Sequence, residues 1–181
     1  PKSWCHLSTR MDILLRTADR TEAALICDLA RTTFLDTYAL QNTEADTAFY
    51  LAQNFTVEKI TAEFDEPNAL FFLAFLNDEL VGYAKVRTVE HPLQLKGRRH
   101  LEIERIYVKQ GFQGHKIGYR LIRHCIETAK AAGFEVIWLG VWEENRKAIE
   151  FYEKVGFQVF GTHPFQFGNS PQNDFLLKME L

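Results

Sequence analysis

The sequence predicts a single domain of the mixed α/β class, in which helices flank one sheet. Its 181 residues match the usual size of one domain. Apolar residues recur at every second position in some segments and every third or fourth in others, the periods of strands and helices. After a hairpin, strands and helices alternate, an order that indicates a mixed sheet. The domain is predicted to span residues 11–181, after a poorly structured lead-in at residues 1–10.

The first third of the chain is predicted to be mostly helical. A short strand at 13–15 precedes a helix at 21–38, and two shorter helices follow at 43–53 and 56–64. Each short helix starts at a threonine, whose side-chain oxygen can cap a helix N-terminus. Helical spacing places these residues on the buried side of the long helix: Ala24, Cys27, Leu29 and Phe34.

The middle of the chain is predicted to form strands. Dense apolar runs at 70–75 and 80–86 flank an Asn-Asp turn, as in a hairpin. A loop at 91–99 leads to residues 101–108, where apolar and polar residues alternate as in a strand. A helix begins near His115. Its apolar residues are spaced by four: Ile117, Leu121, Cys125 and Ala129.

The last third is predicted to return to the sheet twice. Gly133 is placed to end the preceding helix in a left-handed conformation. The remaining predicted elements are a strand at 136–141, a helix at 145–155 ended by Gly156, strands at 157–160 and 174–179, and an aromatic loop at 165–168.

The composition excludes several classes of protein. Apolar runs of four or five residues are far shorter than the ~20 that span a bilayer, and we expect no secretory signal. A net charge of −3 with 15 Phe residues excludes a disordered chain, and no long basic run indicates a nucleic-acid footprint. Three cysteines without a CxxC pair suit reduced thiols, so we expect a cytoplasmic protein. The histidine spacings predict no metal site.

One loop has the features of an anion site. Residues 109–118 read KQGFQGHKIG, so a glycine-bearing turn opens directly into the next helix. Unpaired backbone N–H groups and the helix dipole at such a point favour phosphate. An ordinary strand-to-helix turn is the alternative. The dinucleotide-binding G-x-G-x-x-G and the P-loop motif are both absent, which excludes those two phosphate folds.

Two stretches of the chain resemble one known family. The loop at 113–118 resembles the pyrophosphate loop, R/Q-x-x-G-x-G/A, of the GNAT superfamily of acetyl-CoA-dependent N-acetyltransferases. Asn145 and Tyr152, followed by a Gly-Phe pair, resemble that family's second cofactor segment. Segments 33–38, 101–108 and 137–143 look like the PaiA-type polyamine N-acetyltransferases. The matched motifs cover about residues 101–160 and imply a GNAT fold, with a mostly antiparallel central sheet and splayed strands.

The resemblance implies acetyl-CoA as co-substrate and backbone N–H groups near 106–108 that stabilise an oxyanion. Lys116 stands where the family usually has its first motif glycine, so one N–H points elsewhere or the lysine itself contacts phosphate. Gly140 stands where ribosomal-protein acetyltransferases carry a catalytic Glu, which argues against protein N-terminal acetylation. The implied cofactor-binding residues are Ile106, Tyr107, Val108, Gln113, Gly114, His115, Lys116, Ile117, Gly118, Tyr119 and Asn145.

Three residues are candidate catalytic groups. The resemblance implies that Tyr152 is a general acid, since a phenol with a pKa of about 10 stays protonated at neutral pH. A core aromatic is the alternative. Strand alternation places Glu102 and Glu104 on one face, where they can hold a cationic amine and accept its proton. A solvated strand face is the alternative. The opposite face is predicted to carry Ile103, Arg105 and Tyr107.

Other side chains are expected near the same pocket. Asp36 and Tyr38 end the first long helix and either wall the pocket or simply form a helix terminus. Asn145, which binds cofactor by resemblance, can also cap a helix. The aromatic loop at 165–168 either covers the substrate site or supports an oligomer.

These observations predict an N-acetyltransferase that moves acetyl from acetyl-CoA to a primary amine by direct attack. A polyamine, spermidine or spermine, is the leading acceptor. A peptide, amino-acid or antibiotic amine is the alternative acceptor, and a non-catalytic CoA-sensing module is the alternative function. The expected partner is a small-molecule amine, and we expect no direct binding to nucleic acid or membranes. The sequence does not decide the oligomeric state, for which a homodimer is one alternative.

Overall fold

A computed structural model of the protein describes residues 12–40, 42–167 and 170–181. The predicted lead-in at 1–10 and Gly168 of the aromatic loop therefore lie outside the described residues. The strands are β1 (Ile13–Thr17), β2 (Leu70–Leu76), β3 (Glu79–Arg87), β4 (His100–Val108), β5 (Val136–Trp142), β6 (Gln158–Phe167) and β7 (Ser170–Glu180). The α-helices are α1 (Ala23–Tyr38), α2 (Glu44–Asn54), α3 (Val57–Glu63), α4 (Ile117–Ala131) and α5 (Arg146–Val155).

The described strands form one sheet in the order β1-β2-β3-β4-β5-β7-β6. Each neighbouring pair is antiparallel except β4 and β5, which are parallel and joined through α4. A parallel pair needs such a crossover connection, whereas the hairpin β2–β3 needs only a tight turn. The predicted mixed α/β class with a mostly antiparallel sheet is confirmed.

Helices cover both faces of the sheet, and β2 shows how the sequence allows this. Phe71 and Leu73 pack in a cluster with α1, α2 and α3, whereas Phe72 and Ala74 pack on the opposite face in the cluster that includes α4 and α5. Because both faces are buried, this strand is an unbroken apolar run rather than an alternating one.

Local signals predicted the helix ends well. Thr43 and Thr56 cap α2 and α3 by accepting hydrogen bonds from N–H groups three residues ahead, at 3.1 and 3.2 Å. Gly133 and Gly156 follow α4 and α5 with φ of +74° and +114°, as expected of glycines that end helices. The predicted stripe of α4 is buried: Ile117, Leu121, Cys125 and Ala129.

Two predictions about the fold are wrong. Ala24 is exposed, because α1 turns Ala23, Ile26 and Ala30 inward and leaves residue 24 on the neighbouring stripe. The aromatic segment at 165–167 is not a loop but the end of β6, paired with β7. Gly161 and Pro164 do not end the strand, because Gly161 follows a bulge and Pro164 lies on an edge strand, where its missing N–H is tolerated.

Two further observations concern the cysteines and membrane spans. Cys27 and Cys125 are free and buried, as predicted. Among the described residues, no helix is both long enough and apolar enough to span a membrane.

Candidate active site

The strands β4 and β5 pair over a short stretch and then separate. Parallel pairs join His100 to Val136 and Leu101 to Ile137, and the last pair follows one residue later. β4 nevertheless continues to Val108 and β5 to Trp142, so each has a backbone edge that no strand covers there. The predicted splayed strands are therefore confirmed, and the gap between them opens into the interior of the protein.

A cavity of about 1350 Å³ opens at this gap. Typical small-molecule sites measure roughly 300–1,000 Å³, so this one is large enough for a long cofactor and a second substrate. Of the predicted catalytic and cofactor residues, those that line the cavity are Glu102, Glu104, Ile106, Tyr107, Val108, Gln113, Gly114, Lys116, Ile117, Gly118, Tyr119, Asn145 and Tyr152. His115 does not line it; its Nδ1–H donates to the Phe112 carbonyl at 3.1 Å.

The loop before α4 presents a row of backbone N–H groups. From Gly114 to Tyr119, none of these groups has an acceptor within the described ranges. Gly114 has φ of +88°, a left-handed conformation that suits glycine and turns the chain into the helix. Lys116 and Lys147 also line this part of the cavity, and Lys147 donates to the Gln113 side chain at 3.0 Å. Free N–H groups, a helix N-terminus and two cations together favour a phosphate.

Lys116 occupies a backbone conformation that normally selects glycine. Its φ of 61° and ψ of 13° lie in the left-handed region. For an L-residue with a side chain this conformation costs roughly 1–2 kcal/mol. The lysine therefore keeps the backbone path that a glycine would follow, and it lines the cavity.

The free edge of β4 carries hydrogen-bond donors that face the gap. The Lys109 N–H donates to the Val81 carbonyl on β3 at 2.8 Å. Because N–H groups alternate between the two edges of a strand, those of Ile106 and Val108 point the opposite way, into the gap.

Tyr152 lies on α5, whose start is fixed by Asn145. The Asn145 side chain accepts a hydrogen bond from the Ala148 N–H at 3.3 Å, so its capping role is present. Tyr152 is 8% exposed and packs edge-on against Phe151 and Phe157. Its hydroxyl has no hydrogen-bond partner in the part of the chain that the structure describes. Burial raises the pKa of Tyr152, so the phenol stays protonated at neutral pH.

The end of α1 forms a second wall. Asp36 accepts a hydrogen bond from the Gln110 N–H at 3.4 Å, which ties α1 to the loop before α4. The hydroxyls of Tyr38 and Tyr107 are hydrogen-bonded, and burial raises the pKa of Tyr38 to about 12. Asp36 and Tyr38 therefore do both things predicted as alternatives: they end the helix and they line the pocket.

A β-bulge in β4 rearranges the charged residues of the site. The register pairs Lys85 with Arg105 but Val86 with Ile103, so Glu104 is an extra residue without a partner on β3. A bulge of this kind breaks the two-residue alternation of side chains.

The bulge makes part of the predicted face assignment wrong. Glu102 and Glu104 do lie on one face, as expected, since both are ion-paired with Arg87. Arg105 and Tyr107, however, lie on that same face, because the extra residue shifts every side chain after it. Tyr107 packs with the cluster under α1, and Arg105 is stacked over an aromatic ring on that side.

The charged residues of this face form an ion-pair network. Lys85, whose side chain is fully buried, contacts three carboxylates: Glu63 at 3.0 Å, Glu66 at 2.7 Å and Glu104 at 2.5 Å. Three cations, Lys85, Arg87 and Arg105, face four carboxylates, so the network carries one excess negative charge. The four carboxylates are Glu63, Glu66, Glu102 and Glu104.

The network has different effects on two carboxylates. Burial raises the pKa of Glu102, although Arg87 donates to it at 2.8 Å. Burial is also the largest single effect on Glu63, but the hydrogen bonds and positive charges of Arg105 and Lys85 together outweigh it and lower the pKa of Glu63. Glu102 and Glu104 are thus partnered carboxylates that line the cavity, rather than a solvated strand face.

Asp174 is a cavity carboxylate that the sequence analysis missed. It lies on β7, in register with Trp142 of β5 and His163 of β6. A Cβ at Gly140 would lie 3.5 Å from Oδ2 of Asp174, so the carboxylate occupies the space that a side chain at Gly140 would enter. Burial raises the pKa of Asp174. No local motif marks Asp174, because its position depends on how β7 pairs with β5.

Comparisons with known proteins agree with this geometry. A family model described as the acetyltransferase (GNAT) family matches residues 28–157. The chain is 34% identical to an uncharacterized N-acetyltransferase in the pepI 3′ region of Lactobacillus delbrueckii subsp. lactis, over 84% of this chain and 88% of that protein. It is 24% identical to the spermidine N(1)-acetyltransferase of Thermoplasma acidophilum, over 84% of this chain and 92% of that protein.

A solved structure shares the fold. The PaiA N-acetyltransferase from Thermoplasma acidophilum, crystallised in complex with coenzyme A, superposes with a TM-score of 0.76. The alignment covers 94% of this chain and all of that chain at 22% identity. The resemblance to the PaiA type, the GNAT fold, the N-acetyltransferase class and the use of acetyl-CoA are confirmed predictions. The family model spans well over half of the chain, which therefore belongs to the GNAT family of acetyl-CoA-dependent N-acetyltransferases.

Proposed function

We propose that this enzyme transfers acetyl from acetyl-CoA to a primary amine of a polyamine such as spermidine or spermine. The observation that carries the proposal is the negative charge on the side of the cavity that Glu102 and Glu104 line, which we call the acceptor side. The ion-pair network there has one more carboxylate than cations, and Asp36 and Asp174 add further negative charge to the wall. A polycationic acceptor gains from such a field, whereas a neutral amine does not.

The residues at the other side of the cavity fit acetyl-CoA. The N–H groups of residues 114–119 lack acceptors and can bind the pyrophosphate, with Lys116 and Lys147 adding positive charge. The exposed edges of β4 and β5 can hydrogen-bond the amide groups of the pantetheine arm, and Asn145 lines the same space. Bound there, acetyl-CoA supplies an electrophilic thioester carbonyl for the amine.

Groups of the chain itself can stabilise the developing oxyanion and protonate the leaving sulfur. The Ile106 and Val108 N–H groups face the gap and can stabilise the negative charge that develops on the thioester oxygen; one such donor is worth roughly 3–4 kcal/mol. Tyr152, which is protonated and unpartnered, can donate its hydroxyl proton to the departing sulfur. Neither role needs a covalent enzyme intermediate, so the amine attacks directly.

Glu102 and Glu104 are proposed to attract and hold the acceptor. Their partners Arg87 and Lys85 reduce their charge without cancelling the charge of the network. Arg87 and Arg105 are both occupied by carboxylates, so an amino-acid acceptor would find no free guanidinium for its own carboxylate there. This favours a polyamine over an amino acid. The 24% identity to a spermidine N(1)-acetyltransferase supports the same choice.

Thiol release from acetyl-CoA tests the proposal. With spermidine we expect a kcat/KM at least tenfold higher than with butylamine at low salt, and an advantage that shrinks as salt rises. Equal values for the two amines at low salt would contradict a charge-selecting pocket. Binding of CoA without thiol release for any amine would instead favour the CoA-sensing module.

A further inference from the structure

We propose that Asp174 is a catalytic residue that binds the acceptor's ammonium group and takes a proton from it. The inference rests on the proposed transfer of acetyl to an amine. It concerns which carboxylate acts as the base, a role that the sequence suggested for Glu102 or Glu104.

Within the described residues, the Asp174 carboxylate differs from the other acidic groups of the cavity in having no hydrogen bond and no ion pair, although the charge of His163 acts on it. Glu102 and Glu104 are held by ion pairs, and Asp36 accepts a hydrogen bond from the Gln110 N–H. Asp174 has neither a hydrogen bond nor an ion pair in the described part of the chain. A half-buried carboxylate without a partner destabilises a fold, so such a group suggests a ligand that supplies the missing cation.

The position of Asp174 suits that ligand. The carboxylate lies over Gly140 of β5. β5 forms one side of the gap, and the free N–H groups of β4 lie on the other side. Because residue 140 has no side chain, this residue leaves the carboxylate uncovered. Asp174, the proposed base, and Tyr152, the proposed acid, line the same cavity.

The proton balance needs one base and one acid. An alkylammonium loses two protons on acetylation, one before attack and one as the C–N bond forms and the C–S bond breaks. Asp174 takes the first proton from nitrogen and returns it to solvent, and the second proton leaves nitrogen for solvent as the C–N bond forms. Tyr152 gives its proton to sulfur and recovers one from solvent. Over the whole reaction one proton is released, and no oxidant or metal is required.

The charged groups around Asp174 adjust its pKa. Burial raises it, a protonated His163 on β6 lowers it, and Glu143 beyond β5 raises it. Tyr38 on α1 and Tyr50 on α2 face it from the helical side. A carboxylate whose pKa is raised is a stronger base than an ordinary Asp.

The test is the pH dependence of kcat/KM for spermidine in three variants. In the wild type, log kcat/KM should rise with a slope of about one below the pKa of Asp174, where the carboxyl group loses its proton, and should level off above it, because the enzyme takes up the ammonium form of spermidine. Asp174→Asn should lower kcat/KM by at least 100-fold, show a slope of one throughout, and keep the stabilisation by acetyl-CoA. Asp174→Glu should recover part of the rate. Glu143→Gln, which removes a neighbouring charge outside the cavity lining, should retain the rate and shift the change of slope to lower pH.

The outcomes separate the two proposals. An Asp174→Asn enzyme within about threefold of wild type, or one whose profile levels off as in the wild type, overturns the role of Asp174 and leaves the acetyltransferase proposal intact. A wild type that releases no thiol with any amine overturns both. If Asp174→Asn does not fold, Glu143→Gln decides the question, because an unshifted profile in that variant also overturns the assignment.

Discussion

Glu102 and Trp138 form the last pair between β4 and β5, and the strands separate directly beyond them. The bulge at Glu104 falls two residues later and increases the local twist of β4. The same bulge brings Arg105 onto the face that carries Glu102. The bulge in β4 therefore lies next to both the gap proposed to bind acetyl-CoA and the ion-pair network proposed to bind the acceptor.

Gly114→Asp should weaken acetyl-CoA binding, because the new carboxylate would lie beside the proposed pyrophosphate. In the wild type, acetyl-CoA at 100 times its Kd should add about 2.7 kcal/mol of stability. That is roughly 5–10 °C in Tm for a chain of this size. The variant should lose most of this shift. Gly114→Asn, which tolerates positive φ without charge, and Gly111→Asp, outside the cavity lining, should keep it. A full shift in Gly114→Asp would contradict the assignment.

Lys116→Gly should separate backbone strain from charge. Removing the left-handed lysine should raise the free energy of unfolding of the free protein by about 1 kcal/mol. Removing its ammonium should weaken acetyl-CoA binding about threefold to tenfold, as for one partly exposed phosphate contact. Lys116→Met is the matched control, since it should weaken binding equally without gaining stability. If both variants bind acetyl-CoA as tightly as wild type, the lysine does not contact phosphate.

Tyr152→Phe should lower kcat by about 100-fold, since it removes the proton donor and keeps the ring. Stability should change little, because the hydroxyl has no protein partner among the described residues. Tyr83→Phe is the control: unlike the Tyr152 hydroxyl, which lines the cavity, the Tyr83 hydroxyl is fully buried away from it and has no partner within the described ranges. It should leave kcat unchanged and raise stability by about 1 kcal/mol. Equal rates in both variants would make Tyr152 a core aromatic only.

Lys85→Met should destabilise the protein by about 3–5 kcal/mol at pH 7, because it leaves buried carboxylates without their shared cation. Lys85 contributes to the lowered pKa of Glu63, so without Lys85 this carboxylate becomes protonated more readily as the pH falls and the deficit should shrink at pH 5. Urea unfolding at both pH values measures this. Lys178→Met, which breaks a surface pair with Glu180, should cost far less at either pH. A deficit independent of pH would contradict the network.

The features that the sequence predicted correctly depend on neighbours along the chain. Asn77 and Asp78 both adopt positive φ, as a tight hairpin turn requires. Asn and Asp tolerate positive φ, so these residue types predict the turn. The caps at Thr43 and Thr56 and the buried stripe of α4 likewise follow from residues three or four apart.

The features that the sequence could not predict depend on strand pairing. The bulge at Glu104 exists only relative to β3, and alternation alone put Arg105 on the wrong face. Asp174 meets Gly140 only through the register of β5 and β7, which are far apart in sequence. The sequence shows that residue 140 carries no carboxylate, but it does not show that Asp174 lies beside this residue.

The most direct test of the proposed activity compares kcat/KM for three acceptors with the same enzyme and acetyl-CoA: spermidine, a lysine-containing peptide and an aminoglycoside. All three contain primary amines, so differences in kcat/KM reflect how the cavity binds the rest of each molecule. The excess carboxylates of the acceptor side predict that spermidine is preferred over both by at least tenfold at low salt. A peptide or aminoglycoside preferred by tenfold or more would contradict the polyamine assignment.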